Sequence, residues 1–255
     1  KGSKMPIQKQ CEIREMKPLT ADIFSMVFDA GEMAKAAQPG QFVHIRCGEG
    51  NLLRRPISIC DAWEDNLRIV FQVRGTGTDW LAKRTVGETL DVLGPLGNGF
   101  DLSGDKPVLL VGGGIGTAPM CFAARLLGDR CQVAFGFRSQ DGVILADERA
   151  AAGLPVTVTT EDGSYGETGR VDQVVQRLLR ENPDLIVLAC GPTPMLKAIS
   201  AVTAGEGRGC QVSLEERMAC GLGACLTCSC KVKGHYRRVC KDGPVFHSEE
   251  VAWDE

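Results

Sequence analysis

The chain has 255 residues, 44% hydrophobic and 24% charged, with a net charge of −3. That length supports one large or two to three smaller domains, and the slightly acidic balance gives no basic footprint for nucleic acid. No apolar run approaches the roughly 20 residues of a membrane span, and the N-terminal stretch lacks the charged, apolar and small-residue order of a secretion signal, so a cytoplasmic protein with no membrane partner is expected.

Residues 7–93 alternate short apolar runs with turn residues. Gln41–Arg46, Leu67–Val73 and Glu88–Leu93 have strand composition, punctuated by Gln38-Pro39-Gly40, Gly75-Thr76-Gly77 and Gly94-Pro95-Leu96-Gly97. Many short strands with such punctuation predict an antiparallel barrel or sandwich. Within it, Arg54-Arg55-Pro56-Ile57-Ser58-Ile59 is an odd strand headed by two arginines and a proline. An arginine and a serine there would suit a flavin pyrophosphate through charge-assisted hydrogen bonds. A proline-marked edge strand with solvated charges explains the same residues. Further on, Gly75-Thr76-Gly77-Thr78 would present backbone N–H groups to the same phosphates.

The pattern changes at Lys106. Val108–Val111 is fully apolar, glycines follow, and a helical stretch runs from Thr117 to Leu127. Buried runs recur at Gln132–Phe137, Val156–Thr159 and Leu185–Ala189, with a helix between the last two on which Val171, Val174, Val175, Leu178 and Leu179 share one face. Continuous apolar strands alternating with helices predict a parallel sheet covered on both faces. Gly112-Gly113-Gly114-Ile115-Gly116-Thr117 follows the first strand and opens a helix. Glycines there let the backbone approach a pyrophosphate, and the helix N-terminus favours its charge. The spacing is not that of the common G-x-G-x-x-G fingerprint, which suggests another lineage of nucleotide domain. Cys190-Gly191-Pro192-Thr193-Pro194-Met195 ends the fourth apolar strand on the same sheet edge, where ligands of open sheets bind, although proline at a helix start is also ordinary. Arg138-Ser139 follow the second strand, where an arginine would accept a 2′-phosphate, so the residues leave NAD against NADP open.

Twelve cysteines are many for a chain without a secretion signal. Cys11, Cys47, Cys60, Cys121, Cys131, Cys190 and Cys210 are scattered and read as small buried hydrophobes. The other five cluster near the C-terminus. Cys220-x4-Cys225-x2-Cys228, with Cys240 after eleven more residues, has the plant-type [2Fe–2S] spacing. Gly221 and Gly223 would bend the loop and turn N–H groups toward sulfur. Structural zinc prefers two short-spaced ligand pairs, and only Cys225/Cys228 is one. Cys230 is left as a bystander that competes with Cys240 for the fourth position. His44, His235 and His247 read as ordinary residues, and no acid or base catalyst is expected.

Taken together, Arg55–Ser58, Gly112–Pro119, Cys190–Met195, the four cysteines and Arg238-Val239-Cys240-Lys241-Asp242-Gly243-Pro244-Val245-Phe246 resemble, in that order, the electron-transfer subunits of dihydroorotate dehydrogenase B, within the ferredoxin–NADP reductase superfamily. The resemblance implies a multi-domain fold: an antiparallel FAD-binding β-barrel over 5–102, an NAD-binding α/β domain over 103–208 and a small [2Fe–2S] module over 209–255. It implies FAD contacts at Arg55, Pro56, Ile57 and Ser58, at Val70, Phe71 and Gln72 (where relatives often have Tyr-Arg for the last two), and at Gly77 and Thr78. NAD contacts fall on Gly112, Gly113, Gly114, Gly116, Thr117, Cys190, Gly191, Pro192 and Met195, with Cys220, Cys225, Cys228 and Cys240 as iron ligands. It further implies an FMN-containing catalytic partner in a heterotetramer, two of each, and an electron path to NAD+ in pyrimidine (UMP) biosynthesis. The rivals are a related ferredoxin–NADP oxidoreductase or sulfide dehydrogenase, whose cysteine pattern tends to include an acidic residue, and a zinc-stabilised module with no redox role.

Overall fold

The computed structural model describes residues 5–253; Lys1–Lys4, and Asp254 and Glu255 at the end of the third expected domain, lie outside the described residues. Six strands come first: β1 (Ile7–Pro18), β2 (Ile23–Asp29), β3 (Phe42–Ile45), β4 (Arg55–Trp63), β5 (Asn66–Gln72) and β6 (Thr89–Leu96). They close into a barrel in the order β1-β2-β5-β4-β3-β6, every pairing antiparallel. Along β6 the residues alternate, with Leu90, Val92, Gly94 and Leu96 buried and their neighbours less so, the period-two pattern of a strand with one face in a core. Ile13, Phe28, Ile45, Ile59, Leu67 and Ile69 fill the interior. Two short helices, α1 (Glu32–Ala36) and α2 (Thr76–Ala82), lie in the connections.

The remaining strands are β7 (Val108–Gly113), β8 (Cys131–Phe137), β9 (Val156–Thr160), β10 (Glu167–Thr168), β11 (Ile186–Cys190), β12 (Cys210–Ser213), β13 (Ser229–Val232), β14 (His235–Arg238) and β15 (Val245–His247). They are joined in part by helices α3 (Thr117–Leu127), α4 (Ala146–Ala151), α5 (Val171–Glu181) and α6 (Thr193–Gly205). A seven-stranded sheet runs β10-β9-β8-β7-β11-β12-β15, parallel throughout except where β15 meets β12. Central β7 is buried at all six residues, which is why its sequence is continuously apolar rather than alternating. One face packs on α5, through Val171, Val174, Val175 and Leu179, together with α6. The other packs on α3, which also meets Ile23, Cys60 and Val70 of the barrel in a single apolar cluster. Sandwiched in this way, α3 is buried nearly all round. Among the described residues, no helix is long and apolar enough to cross a membrane.

The C-terminal segment is therefore threaded through the nucleotide sheet. Strands β12 and β15 are sheet members, and the cysteines with the β13–β14 hairpin occupy the excursion between them.

Two ion pairs hold barrel and sheet together. Arg68 of β5 donates from both terminal nitrogens to Glu148 of α4, at 2.7 and 2.9 Å, and Arg125 of α3 meets Asp61 of β4 at 2.6 Å. The bond from Arg68 holds the Glu148 carboxyl below its ordinary value of 4.5. A carboxylate with a depressed folded-state pKa stabilises the fold above its unfolded value, and the stabilisation is lost as pH falls through the folded value. Glu148→Gln is expected to lower stability at pH 7 by about 1 kcal/mol, the scale of a partly exposed pair. The gap between the two proteins in thermal unfolding should then shrink below pH 4.5; a gap that persists unchanged at low pH would show that the ion pair is not its origin.

Candidate functional site

A cleft of about 1200 Å³ lies between the barrel and the carboxyl ends of the parallel strands. Its barrel wall is made by Arg55, Pro56, Ile57 and Ser58 of β4, Val70, Phe71 and Gln72 of β5, and Thr78 of α2. The Phe71 ring is buried in the barrel, stacked on Phe24 with centroids 5.9 Å apart, and the Gln72 amide donates to Asp22 at 2.6 Å. Arg55 donates to the Asn51 side-chain oxygen at 2.8 Å and to the Leu53 carbonyl. Gly77 is not on the wall: it packs behind Arg55, where a Cβ would collide with the guanidinium. The Thr78 hydroxyl accepts from the backbone N–H groups of Arg74 and Gly75, at 2.8 and 3.2 Å, and shapes the turn into α2. Arg55 and Arg74 put two positive charges on this wall, a match for the charge of a flavin pyrophosphate.

On the sheet wall the glycines divide by task. A Cβ at Gly112 would lie 2.7 Å from the Thr117 Cα, one at Gly113 would strike the Met195 side chain, and one at Gly116 would strike the Cys190 carbonyl. These three let β7, α3 and the Cys190–Met195 turn pack together. Gly114, at φ 53°, has open space where its side chain would be, which leaves the backbone there accessible. Gly113, Gly114 and Gly116 line the cleft with Pro192 and Met195. Gly112, Thr117, Cys190 and Gly191 stand behind it. The buried Thr117 hydroxyl donates to the Gly114 carbonyl at 2.9 Å and holds the turn. Burial pushes the Cys190 thiol well above its ordinary range, reinforced by the Glu215 charge.

Some cleft residues escaped the sequence reading. Glu215 opens on the cleft, yet the surrounding protein raises its carboxyl pKa against the opposing pull of Arg74. The Thr159 hydroxyl is buried on the cleft wall with no hydrogen-bond partner among the described residues. Glu215 stands in no run or spacing that marks it, and Thr159 reads only as the end of the Val156–Thr159 strand.

The cysteine loop abuts this cleft through Met218 and Leu214. Its backbone is left-handed at Gly221 (φ 69°) and Gly223 (φ 80°), and the N–H groups of Leu222 and Ala224 point at the Cys220 sulfur, at 3.4 and 3.3 Å. Cys240 donates its backbone N–H to the Cys228 sulfur at 3.4 Å. The spacing between those two is a β-hairpin: β13 and β14 pair from Ser229↔Arg238 to Val232↔His235, around Lys233 and Gly234 at positive φ, the conformation of a tight two-residue hairpin turn. Arg238 then clamps the halves together, pairing with Asp242 at 3.0 Å and donating to the Gly223 carbonyl at 3.3 Å.

The thiols associate in two pairs. Cys225 is lowered to about 6, first by the Thr227 hydroxyl and backbone and then by Cys220; Cys240 is raised to about 12 by burial and by the Cys228 thiol. Among the described residues, no three His, Cys, Asp or Glu side chains converge on one point as a single ion would need. Two thiol pairs, with backbone N–H groups aimed at sulfur, suit the chemistry of a two-iron cluster. Cys230 lies in β13 opposite Arg237, half-buried, its thiol raised to about 11 by burial.

A barrel and a nucleotide sheet facing one cleft, with a cysteine loop beside it, define a flavin- and nicotinamide-dependent reductase with an attached iron–sulfur centre. Residues 215–252 match the family model for the iron–sulfur cluster binding domain of dihydroorotate dehydrogenase B, and 110–201 match that for the oxidoreductase NAD-binding domain. The dihydroorotate dehydrogenase B (NAD(+)) electron transfer subunit of Caldanaerobacter subterraneus subsp. tengcongensis is 43% identical, over 91% of this chain and 94% of that one. Its counterpart in Shouchella clausii is 42% identical over 98% of both. The chain belongs to this family of electron transfer subunits. Among solved structures, an NADH-dependent reduced ferredoxin–NADP oxidoreductase superposes with a TM-score of 0.88 at 35% identity, covering 99% of this chain and 91% of that one. A ferredoxin reductase of carbazole 1,9a-dioxygenase shares the fold, with a TM-score of 0.68 at 22% identity over 79% of this chain and 66% of that one. The fold is that of the ferredoxin–NADP reductases, and the cofactors are FAD, NAD and a [2Fe–2S] cluster.

Cys230→Ser is expected to keep the visible absorbance and iron content of the purified protein, whereas Cys240→Ser should lose most of both. The reverse result would make Cys230 the fourth ligand. Gly221→Ala should also deplete iron, because a side chain at φ 69° is strained and its Cβ would lie 2.7 Å from His44 Nδ1.

Proposed function

We propose that this chain is the electron-transfer subunit of an NAD-dependent dihydroorotate dehydrogenase, serving pyrimidine (UMP) biosynthesis. It receives electrons from the FMN of a catalytic partner through the [2Fe–2S] centre and delivers them by way of FAD to NAD+. The observation that carries this reading is the placement of two adjoining cysteine pairs beside a cleft that has a doubly arginine-lined barrel wall and a glycine turn opposite. When bound, FAD supplies the ability to exchange electrons singly with the cluster and as hydride with NAD. The protein residues bind and orient. Arg55 and Arg74 would hold the flavin phosphates, and Pro56, Ile57, Ser58 and β5 would bind the rest of the cofactor. Gly114 would admit the nicotinamide dinucleotide, with Pro192 and Met195 lining the same part of the cleft. Cys220, Cys225, Cys228 and Cys240 would hold the two irons.

The partner proposed is an FMN-containing subunit, two copies of each chain forming the assembly, in the cytoplasm. All twelve cysteines are free, which suits a reducing compartment. The three units proposed are the barrel over 5–102, the nucleotide domain over 103–208 and the iron–sulfur module over 209–255, the last lending β12 and β15 to the nucleotide sheet. Co-purification with a catalytic subunit should yield dihydroorotate-dependent reduction of NAD+; turnover that ignores dihydroorotate would remove the substrate assignment. A second reading, electron exchange with ferredoxin, draws on the oxidoreductase likeness at a TM-score of 0.88. Four cysteine ligands weigh for the first reading.

NAD is the nicotinamide proposed. Arg138 lines the cleft beyond β8, but Asp141 and Glu161 line it there too, and their charges oppose a 2′-phosphate. NADH should be oxidised with an artificial acceptor at least tenfold more efficiently than NADPH, as measured by kcat/KM. Equal efficiencies would mean that Arg138 prevails over the two carboxylates.

A further inference from the structure

His44, which the sequence presents as ordinary, stands where the barrel wall meets the cysteine loop. It is fully buried (0% exposed) in β3, paired with Pro56 of the cleft-lining strand β4. Phe42, two residues earlier and therefore on the same face of β3, lines the cleft and meets the His44 ring edge-on, with centroids 6.2 Å apart. Phe42 also shares an apolar cluster with Cys228 and Cys240. The edge of the ring that bears Nδ1 covers the cysteine loop, since a Cβ at Gly221 would lie 2.7 Å from that nitrogen. Gly221 follows Cys220 directly.

Among the described residues, neither ring nitrogen of His44 has a hydrogen-bond partner. A neutral imidazole carries one N–H donor and one acceptor, and a buried donor without a partner is costly. Burial, with the charges of Arg54 and Arg55, lowers the His44 pKa to about 4, so the ring enters the site uncharged. A polar ring held in this position needs a partner on the side of the cysteine loop.

The geometry points to that partner: we infer that His44 donates its Nδ1–H to a sulfur of the iron–sulfur site at Cys220, and so raises the reduction potential of the cluster. Hydrogen bonds to cluster and thiolate sulfur stabilise the extra negative charge of the reduced state, and they are one of the levers by which a protein sets such potentials. His44 is in this role a positioning residue that acts on the electron carrier, and it transfers no proton to substrate. The inference rests on the iron–sulfur reading of the four cysteines.

The test uses the full chain with cluster and FAD loaded. Pulsed electron paramagnetic resonance of the reduced wild-type protein, with 15N-labelled histidine, should show a weak coupling to one histidine nitrogen; His235 and His247 are exposed and distinguishable by substitution. A redox titration followed by the cluster signal should place His44→Phe lower, with the ratio of reduced to oxidised cluster at fixed ambient potential down about tenfold, or about 59 mV for a one-electron couple. His44→Asn, whose amide nitrogen can stand near the Nδ1 position, should recover most of that shift. A midpoint unchanged in His44→Phe with the cluster intact overturns the inference. If His44→Phe fails to assemble the cluster, the wild-type coupling decides: its presence supports the bond and its absence overturns it. A wild-type chain with no iron–sulfur signal would overturn the cluster reading itself, a failure separate from that of His44.

Discussion

Cys228 and Cys240 are buried in the same apolar cluster as Phe42 and Leu96 of the barrel and Phe246 of the sheet. The whole electron-transfer arrangement depends on that packing. A thiolate pair is ordinarily a mobile, solvated feature on a loop, whereas here its carbon framework is part of the hydrophobic contact between three units. The position of these cysteines relative to the cleft is then fixed by side-chain packing at crystal-like density and not by loop conformation alone. Backbone bonds reinforce it. Asn98, just past β6, donates its side-chain amide to the carbonyls of Lys241 and Asp242, each at 3.0 Å, and its N–H to Gly243 at 2.6 Å.

The same economy governs the cleft. Its two walls belong to different folds, so their separation is only as constant as the interface behind them. Helix α3 supplies that interface by burying itself against sheet and barrel together, and the Arg68–Glu148 and Arg125–Asp61 pairs reinforce it. A flavin on one wall and a nicotinamide on the other must meet at van der Waals distance for hydride transfer. Rigidity of this helix therefore serves the chemistry as much as the stability.

Much of this was legible in the sequence because its signals are local. Apolar runs at Val108–Val111 and Leu185–Ala189 mark central strands, since a strand buried on both faces has no polar alternation to obscure it. The spacing of Cys220, Cys225 and Cys228 encodes a loop, and the eleven residues before Cys240 turn out to be a hairpin. What was not legible involves residues brought together across long separations. Gly113 and Gly116 line the cleft as well as serving chain packing with Gly112; only the structure shows that Met195 and the Cys190 carbonyl occupy the space beside two of them. Glu215 and Thr159 acquire their surroundings from strands far away in sequence. His44 is the sharpest instance. A single histidine in Phe42-Val43-His44-Ile45 carries no motif, and its meaning comes from Gly221, a residue whose proximity no pattern announces.

The return of β15 into the nucleotide sheet has a consequence for how the protein is made. Chains emerge from the ribosome N-terminus first, and units near that end fold first. The barrel can close as soon as β6 has emerged. The nucleotide sheet cannot, because its β15 edge follows all four cysteines in the chain. Completion of the sheet thus waits on synthesis of the metal-binding loop, and a chain truncated within that loop would leave β12 as an open edge, exposed to pairing with other chains.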